Sequence, residues 1–352
     1  MTYSHFRLST IRGLAVFICA AAASATGADL LTRISDGSLI RGKLETLSKT
    51  KIEIRRSNDK VESISPDDLQ DIRFDREPPI LQTARSNERS GAYATAIGQL
   101  REVQSDYSDG DRRVVEEIEF LIARCQARQA LLDSSVAQTA LNSLQAFLQS
   151  HGNSYRALET MLLQAQLLVV TDRPRAVELL QQLRDSGVDG FAMQAGVVLG
   201  NALLSDNEPD QALQVFEGVI RRSRDKATAS TANLKSRIGR ARCLQEQDRL
   251  QDALKALNAV IADAPDDQPK TLAQAWIHAG NCHQDDGNPR AALLAYLHVD
   301  LLYPEATNEH AESLHQLAPL WEAAGHPGRA RDARSRLRDQ YPDSKWAEEP
   351  QN

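Results

Sequence analysis

Residues 273–304 read AQAWIHAGNCHQDDGNPRAALLAYLHVDLLYP. Apolar residues recur at three and four spacing on both sides of the polar break DDGNP (285–289). That is the pattern of two amphipathic helices joined by a tight turn. The same stretch crowds His278, Cys282, His283, Asp285 and Asp286 together, which raises the question of a metal or catalytic site. On a helix turning about 100° per residue, His278 and Cys282 share a face while His283 lies roughly another 100° around, so the three do not converge on one ion. The aspartates belong to the turn.

Similar punctuation runs along the chain from Ile80: SGAY, DSSV, TDRP, SDNEPD, EQDR, DDGNP and AGHPG separate helical stretches of roughly twelve to eighteen residues. A helix-opening alanine follows each break, at Ala96, Ala140, Ala176, Ala212, Ala253, Ala292 and Ala330, with spacings of 44, 36, 36, 41, 39 and 38 residues. Four positions later stand Leu100, Leu144, Leu180, Phe216, Leu257 and Tyr296, and in the seventh unit Arg334. A small residue lets the two helices of a hairpin approach, and the large one fills the space against the next hairpin. Arg334 in the last unit suits a solvent-facing cap, because nothing follows it to pack against.

These residues carry a family resemblance. Residues 273–304 resemble a tetratricopeptide repeat: Trp276, Gly280, Asn281, Gly287, Ala292, Tyr296 and Pro304 stand where that repeat places its tryptophan, glycine and asparagine, turn glycine, second-helix alanine, aromatic and closing proline. LGNALLSDNEPDQALQVF (199–216) repeats the theme, and ARCLQEQDRLQDALKALNAVIADAP (241–265) does so less completely. The resemblance implies an α-α superhelical solenoid of about seven hairpins over residues 79–348. It implies a protein or peptide partner in a concave groove lined by position nine of each first helix, here Asn201, Arg242 and Asn281. Position two adds Gln194, Lys235 and Gln274, and position twelve adds Gln245 and Gln284. Amides and a guanidinium in a row can bond the backbone or a carboxylate of an extended segment, or can be a merely solvated inner face. The charged carboxylate clamp of chaperone-binding members needs lysine at position five, where Val197, Ile238 and Ile277 stand, so that activity does not carry over.

Residues 29–78 differ in kind. LLTRI, SLIRGKLETL, KIEIRR and VESIS alternate apolar with polar residues, and SDGS (35–38) is a turn sequence. A small closed or rolled β unit is expected, resembling SH3-like or Sm-like barrels through DGSLIRGKL (36–44) and ISPDDLQDIRF (64–74), with a role either in capping the helices or in binding. Pro78 and Pro79 end it. Before it, Arg7 and Arg12 precede an apolar run from Gly13 to Ala23 and small residues Ala23, Ser24 and Ala25. Residues 1–28 therefore read as a secretory signal peptide, with no integral span after cleavage. The address is the periplasm or cell envelope, in keeping with YPDSKWAEE (341–349), which looks like an ending common in envelope tetratricopeptide proteins.

Loss of the leader takes the formal charge from −7 to −9, which argues against nucleic-acid binding. Cys125, Cys243 and Cys282 remain, without a C-x-x-C pair, and read as buried small residues rather than a disulfide framework or zinc knuckle. Six of eight histidines lie between 278 and 326; HAESLH (310–315) lacks zincin spacing, and these histidines read as solvated or capping. DYSDGDRR (106–113) has too few oxygen ligands for a calcium loop. No G-x-S-x-G, P-loop or dinucleotide fingerprint occurs, so no catalytic residue, metal or cofactor is expected. The sequence reads as a non-catalytic interaction scaffold. The alternative is a self-assembling structural component of the envelope, a homo-oligomer, and a metal-binding or enzymatic protein ranks last.

Overall fold

The computed structural model describes residues 27–224 and 230–348. Residues 1–26, and with them nearly all of the signal peptide expected over residues 1–28, lie outside them. Five short strands come first: β1 (Asp29–Arg33), β2 (Leu39–Ser48), β3 (Lys51–Arg55), β4 (Val61–Ile64) and β5 (Leu69–Arg73), with a 3-10 turn at Pro66–Asp68. They form one antiparallel sheet in the order β4-β3-β2-β1-β5. Strand β2 pairs with β1 through its first half and with β3 through its second, with a bulge between Leu44 and Thr46. A bulge bends and twists the strand that carries it, so the sheet rolls around Leu31, Ile40, Ile52, Ile54 and Ile72, all fully buried. Alternation along β2 and β3 produces this face: every second side chain points inward.

Helices fill the rest: α1 (Ile80–Arg89), α2 (Tyr93–Asp106), α3 (Arg112–Ala130), α4 (Ala137–Ser150), α5 (Ala157–Thr171), α6 (Arg173–Arg184), α7 (Asp189–Ser205), α8 (Pro209–Arg222), α9 (Ser230–Glu246), α10 (Leu250–Asp263), α11 (Pro269–Asp285), α12 (Pro289–Leu302), α13 (Thr307–Ala323), α14 (Pro327–Gln340) and α15 (Lys345–Glu348). The first fourteen pair into seven antiparallel hairpins. First helices of successive hairpins touch one another as well, whereas second helices pack mainly within their own hairpin and on the next first helix. The array therefore curves with α7, α9, α11 and α13 on its inner side.

The seven hairpin alanines are all buried, and the larger residues four positions on are buried from Leu100 to Tyr296. Glycine is what admits the aromatics. A Cβ at Gly280 would lie 2.5 Å from the Tyr296 ring, and one at Gly239 would lie 2.3 Å from the Phe216 ring. Turns use the left-handed conformation at equivalent places, by Gly287 and Gly325 in two hairpins and by Asn207 and Asp248 in two others. Arg334 differs from the solvent-facing cap the sequence suggests: it is only partly exposed and pairs with Glu322, while α15 packs on α13 and α14. Trp346 of α15 lies against the His315 ring and covers the last hairpin.

The sheet is built into the array. Its inward residues share one core with Leu81, Leu100, Ile118 and Phe147 of the first two hairpins. The Asp29 carboxylate accepts from the backbone N–H groups of Leu44 and Asp75 and from Arg113 on α3. On the far side Asp67 Oδ2 accepts the Gly190 N–H at 2.6 Å, across 123 residues of sequence. The residue preceding α7, Val188, has no capping side chain, so the strand region supplies the missing helix cap.

Between the sheet and hairpins one to three lies a buried ionic network. Arg85 forks onto Glu77 at 2.6 Å and reaches Asp71 at 3.3 Å. Arg156 bonds Glu117 through Nη2 at 2.8 Å and Nε at 3.0 Å, and the Tyr155 hydroxyl donates to the same carboxylate at 2.6 Å. Arg124 holds Glu88 through two bonds of 2.7 Å and, like Arg156, reaches Glu159. Both guanidinium groups lie over the Phe120 ring. Burial pushes the Glu117 carboxyl up, but Arg156, Arg85 and the Tyr155 hydroxyl more than offset this and hold it below the ordinary range. Burial alone lowers an arginine, yet facing carboxylates keep Arg156 and Arg124 above theirs.

Candidate groove on the inner face

On the inner face of α7, α9, α11 and α13 lies a concave groove of about 430 Å³. Its apolar floor is made by Val197, Ile238 and Ile277, one per hairpin, each less than a tenth exposed. The spacing of these three residues is that of the repeat itself, so the floor follows directly from stacking equivalent helices. Polar side chains rise around it: Asn201 from α7, Lys235 and Arg242 from α9, Gln274 and His278 from α11, Glu309 and Glu312 from α13.

Four of the eight residues expected on the inner face therefore meet in one groove: Asn201, Lys235, Arg242 and Gln274. Arg242 Nη1 donates to Asn201 Oδ1 at 2.9 Å, and Gln274 Nε2 donates to Glu309 Oε1 at 2.8 Å. Asn281 and Gln284 do not line this groove; their side-chain oxygens lie 2.6 Å and 2.9 Å from the Tyr296 hydroxyl. One phenolic proton serves only one of them, so the other amide turns its NH₂ toward the hydroxyl oxygen. The buried tyrosine needs a partner for its polar tip, and these two amides supply it. Gln245 donates to Asp285 at 2.6 Å, and Gln194 is exposed near the start of α7.

The electrostatics of the groove are unusual for this molecule. Although much of the Lys235 side chain is open, crowding by the concave walls, followed by the nearby Lys270 ammonium, lowers its pKa below the usual lysine value. Burial lowers that of Arg242 as well, and the more distant carboxylates of Glu246 and Glu312 do not restore it. His278 is pushed down to about 3, by burial first and then by the Arg242 charge.

An unfolded histidine titrates near pH ~6.5, so the neutral His278 ring contributes its stability in full above that pH. The contribution is lost as pH falls from there toward about 3, at about 1.4 kcal/mol per pH unit. Urea unfolding at pH 7 and pH 5 should show His278→Gln losing about 2 kcal/mol less than the parent protein over that interval. Equal losses would mean that the ring is not held neutral.

Sequence reasoning missed Glu309, Glu312 and His278 as groove residues. Glu309 and Glu312 lie one hairpin beyond the row considered, and the first helix there follows the same inward register. The histidines also depart from expectation: His310 is neither solvated nor capping but buried between Asp300, at 2.9 Å from Nε2, and the Tyr341 hydroxyl, at 2.6 Å from Nδ1. Arg336 shares that Asp300 carboxylate and joins α12 to α14. The thiols of Cys125, Cys243 and Cys282 are free and buried, and burial pushes each up to about 12, which leaves them protonated and unreactive.

Comparison with known proteins agrees with this architecture. The family model described as tetratricopeptide repeat matches residues 203–277, a stretch that includes Lys235, Ile238, Arg242 and Gln274 of the groove. A tetratricopeptide repeat protein from Parabacteroides merdae superposes with a TM-score of 0.56 at 14% identity, over 76% of this chain and 94% of that one. The apo form of the quorum sensor NprR from B. thuringiensis gives 0.51 at 14% identity, over 76% of each chain. The apo form of RapI gives 0.50 at 8% identity, over 76% of this chain and 78% of its own. At these identities the likeness is one of fold. No curated protein matches the chain in sequence. Among the described residues no helix is long and apolar enough to cross a membrane.

Proposed function

We propose that this tetratricopeptide-like solenoid is a non-catalytic scaffold or adaptor of the periplasm or cell envelope, exported by the leader at residues 1–28, that holds a peptide or protein segment in its inner groove. Folds of this type mediate protein–protein interaction. The observation that carries the reading is the groove itself: a continuous apolar floor edged by hydrogen-bonding and charged side chains from four successive first helices. Such a surface offers an extended segment main-chain partners along its length and shares affinity among several contacts. Asn201, Lys235, Arg242 and Gln274 make the primary contacts. Gln194 extends them at one end, and Asn281, Gln284 and Gln245 contribute only by exchanging their present bonds.

A photocrosslinking side chain placed at Gln274 in intact cells should form an adduct with a discrete partner, while the same group at Lys255, on the outer helix α10, should not. The combined change Asn201→Ala, Lys235→Ala and Arg242→Ala should abolish the adduct without unfolding the array. Equal labelling from both positions, or an adduct indifferent to the triple change, would remove the groove from consideration.

A second reading, self-assembly, draws on one specific feature. Leu294, Leu301 and Leu302 are more than half exposed on the outer side of α12. At the same register the neighbouring second helices carry Gln214, Arg221 and Arg222, or Lys255, Ala262 and Asp263. Exposed apolar clusters of this kind mark interaction surfaces. Light scattering across a concentration series separates the readings, since a monomer at every concentration rules out assembly.

A further inference from the structure

We propose that the segment held in the groove carries mixed charge, with an acidic group laid on the α9 side and a basic group on the α13 side. The proposal rests on the groove being the binding site and specifies what it selects.

The buried arginines of the first three hairpins face carboxylates: Arg85 has Glu77, Arg124 has Glu88 and Arg156 has Glu117. The two groove cations break this rule. Arg242 makes its side-chain hydrogen bond to the neutral amide of Asn201, and Lys235 forms no ion pair among the described residues. Arg242 is partly buried and Lys235 opens into the groove; neither has an anion at bonding distance among the described residues, and an arriving carboxylate would gain charge-assisted bonds there. The two stand seven residues apart on one helix, about 10.5 Å along its axis, so they can meet two positions of an extended chain rather than one point.

The opposite wall has the other sign. Glu309 and Glu312 project into the same groove from α13, one hairpin beyond the amides of α11. Glu309 is nearly buried and has one oxygen committed to Gln274, which fixes its position. These carboxylates lie close enough to act on Lys235 and Arg242 through space. Each wall therefore presents one sign of charge across a shared apolar floor, with Gln274 and neutral His278 between. A polyanion such as nucleic acid would meet Glu309 and Glu312, and a flat lipid surface does not enter a concave groove. Oppositely charged side chains on the two flanks of one extended segment satisfy both walls, and complementarity of this kind fixes orientation and excludes wrong partners.

The test uses three fluorescein-labelled dodecapeptides of equal length, one mixed-charge, one all-acidic and one all-basic, titrated with the full chain and read by fluorescence anisotropy. The mixed-charge probe should bind at least about tenfold more tightly than either other probe, as expected when one wall repels a single-sign chain. Lys235→Glu with Arg242→Glu should lose that preference. Adding Glu309→Lys and Glu312→Lys should restore it, because the walls have then exchanged signs and the peptide can lie in the reverse direction. Circular dichroism on each variant checks that the array stays folded. Equal binding of all three probes, or binding of none, overturns the proposal. The groove reading is judged separately by the adduct from Gln274, which survives in the first case and is lost only if the groove is not the site.

Discussion

Replacing Arg156 with alanine is expected to cost the protein about 3–5 kcal/mol, the range found when one partner of a buried ion pair is removed. The guanidinium holds the wholly buried Glu117 through two bonds and also reaches Glu159. Its removal strands a carboxylate in a place where desolvation already opposes the charge. Glu117 responds by taking up a proton, so the loss should be greater at pH 8 than at pH 5. Urea unfolding at both pH values reads the effect. The companion change Glu117→Leu with Arg156→Met removes both charges together and should cost far less, since apolar replacement of a buried pair is often near neutral. Equal losses for the single and double variants would show that the network stabilises through shape rather than charge.

Phe216→Ala is expected to destabilise by about 3–5 kcal/mol, the usual cost of emptying a buried aromatic site. The ring is fully buried and fills the space between two hairpins, with the Cα atoms of Gly200 and Gly239 directly against it. Those glycines belong to α7 and α9, so the cavity would open beneath the groove floor beside Ile238. In a repeat array stability is a sum of units and their interfaces, and loss at one interface uncouples the segments on either side. Hydrogen exchange should therefore rise most in α8 and α9 while α1 to α5 stay protected. A uniform rise along the chain would contradict this division. Gly239→Ala tests the same contact from the other side, since its Cβ would need space that the ring occupies.

The two losses arise in different ways, and they show which features are legible in a sequence. Phe216 announces itself: it stands four residues after Ala212 in a pattern that recurs six times, and the helical period fixes the face on which it falls. The strands were equally readable, because the alternation in residues 39–55 leaves one pairing register that buries Ile40, Leu44, Ile52 and Ile54. Arg156 gives no such sign. Arginine and glutamate in an exposed-looking helical sequence are ordinary surface residues, and nothing local tells Glu117 and Arg156 that they will meet.

Sequence by itself determined the helical hairpins, the equivalent apolar positions Val197, Ile238 and Ile277 and the small β unit, because these follow from periodicities of two and about 3.6 residues that act over a few neighbours. Tertiary structure alone decided where polar side chains spend their bonds. Asn281 lies beside Tyr296 rather than open in the groove, His310 is buried against Asp300, and Asp67 reaches 123 residues along the chain to cap α7. It also placed Glu309 and Glu312 opposite Lys235 and Arg242. The physical reason is range: apolar burial is set by local period and is non-directional, whereas a hydrogen bond or ion pair needs a particular partner within about 3 Å, which only the curvature of the whole array can bring there.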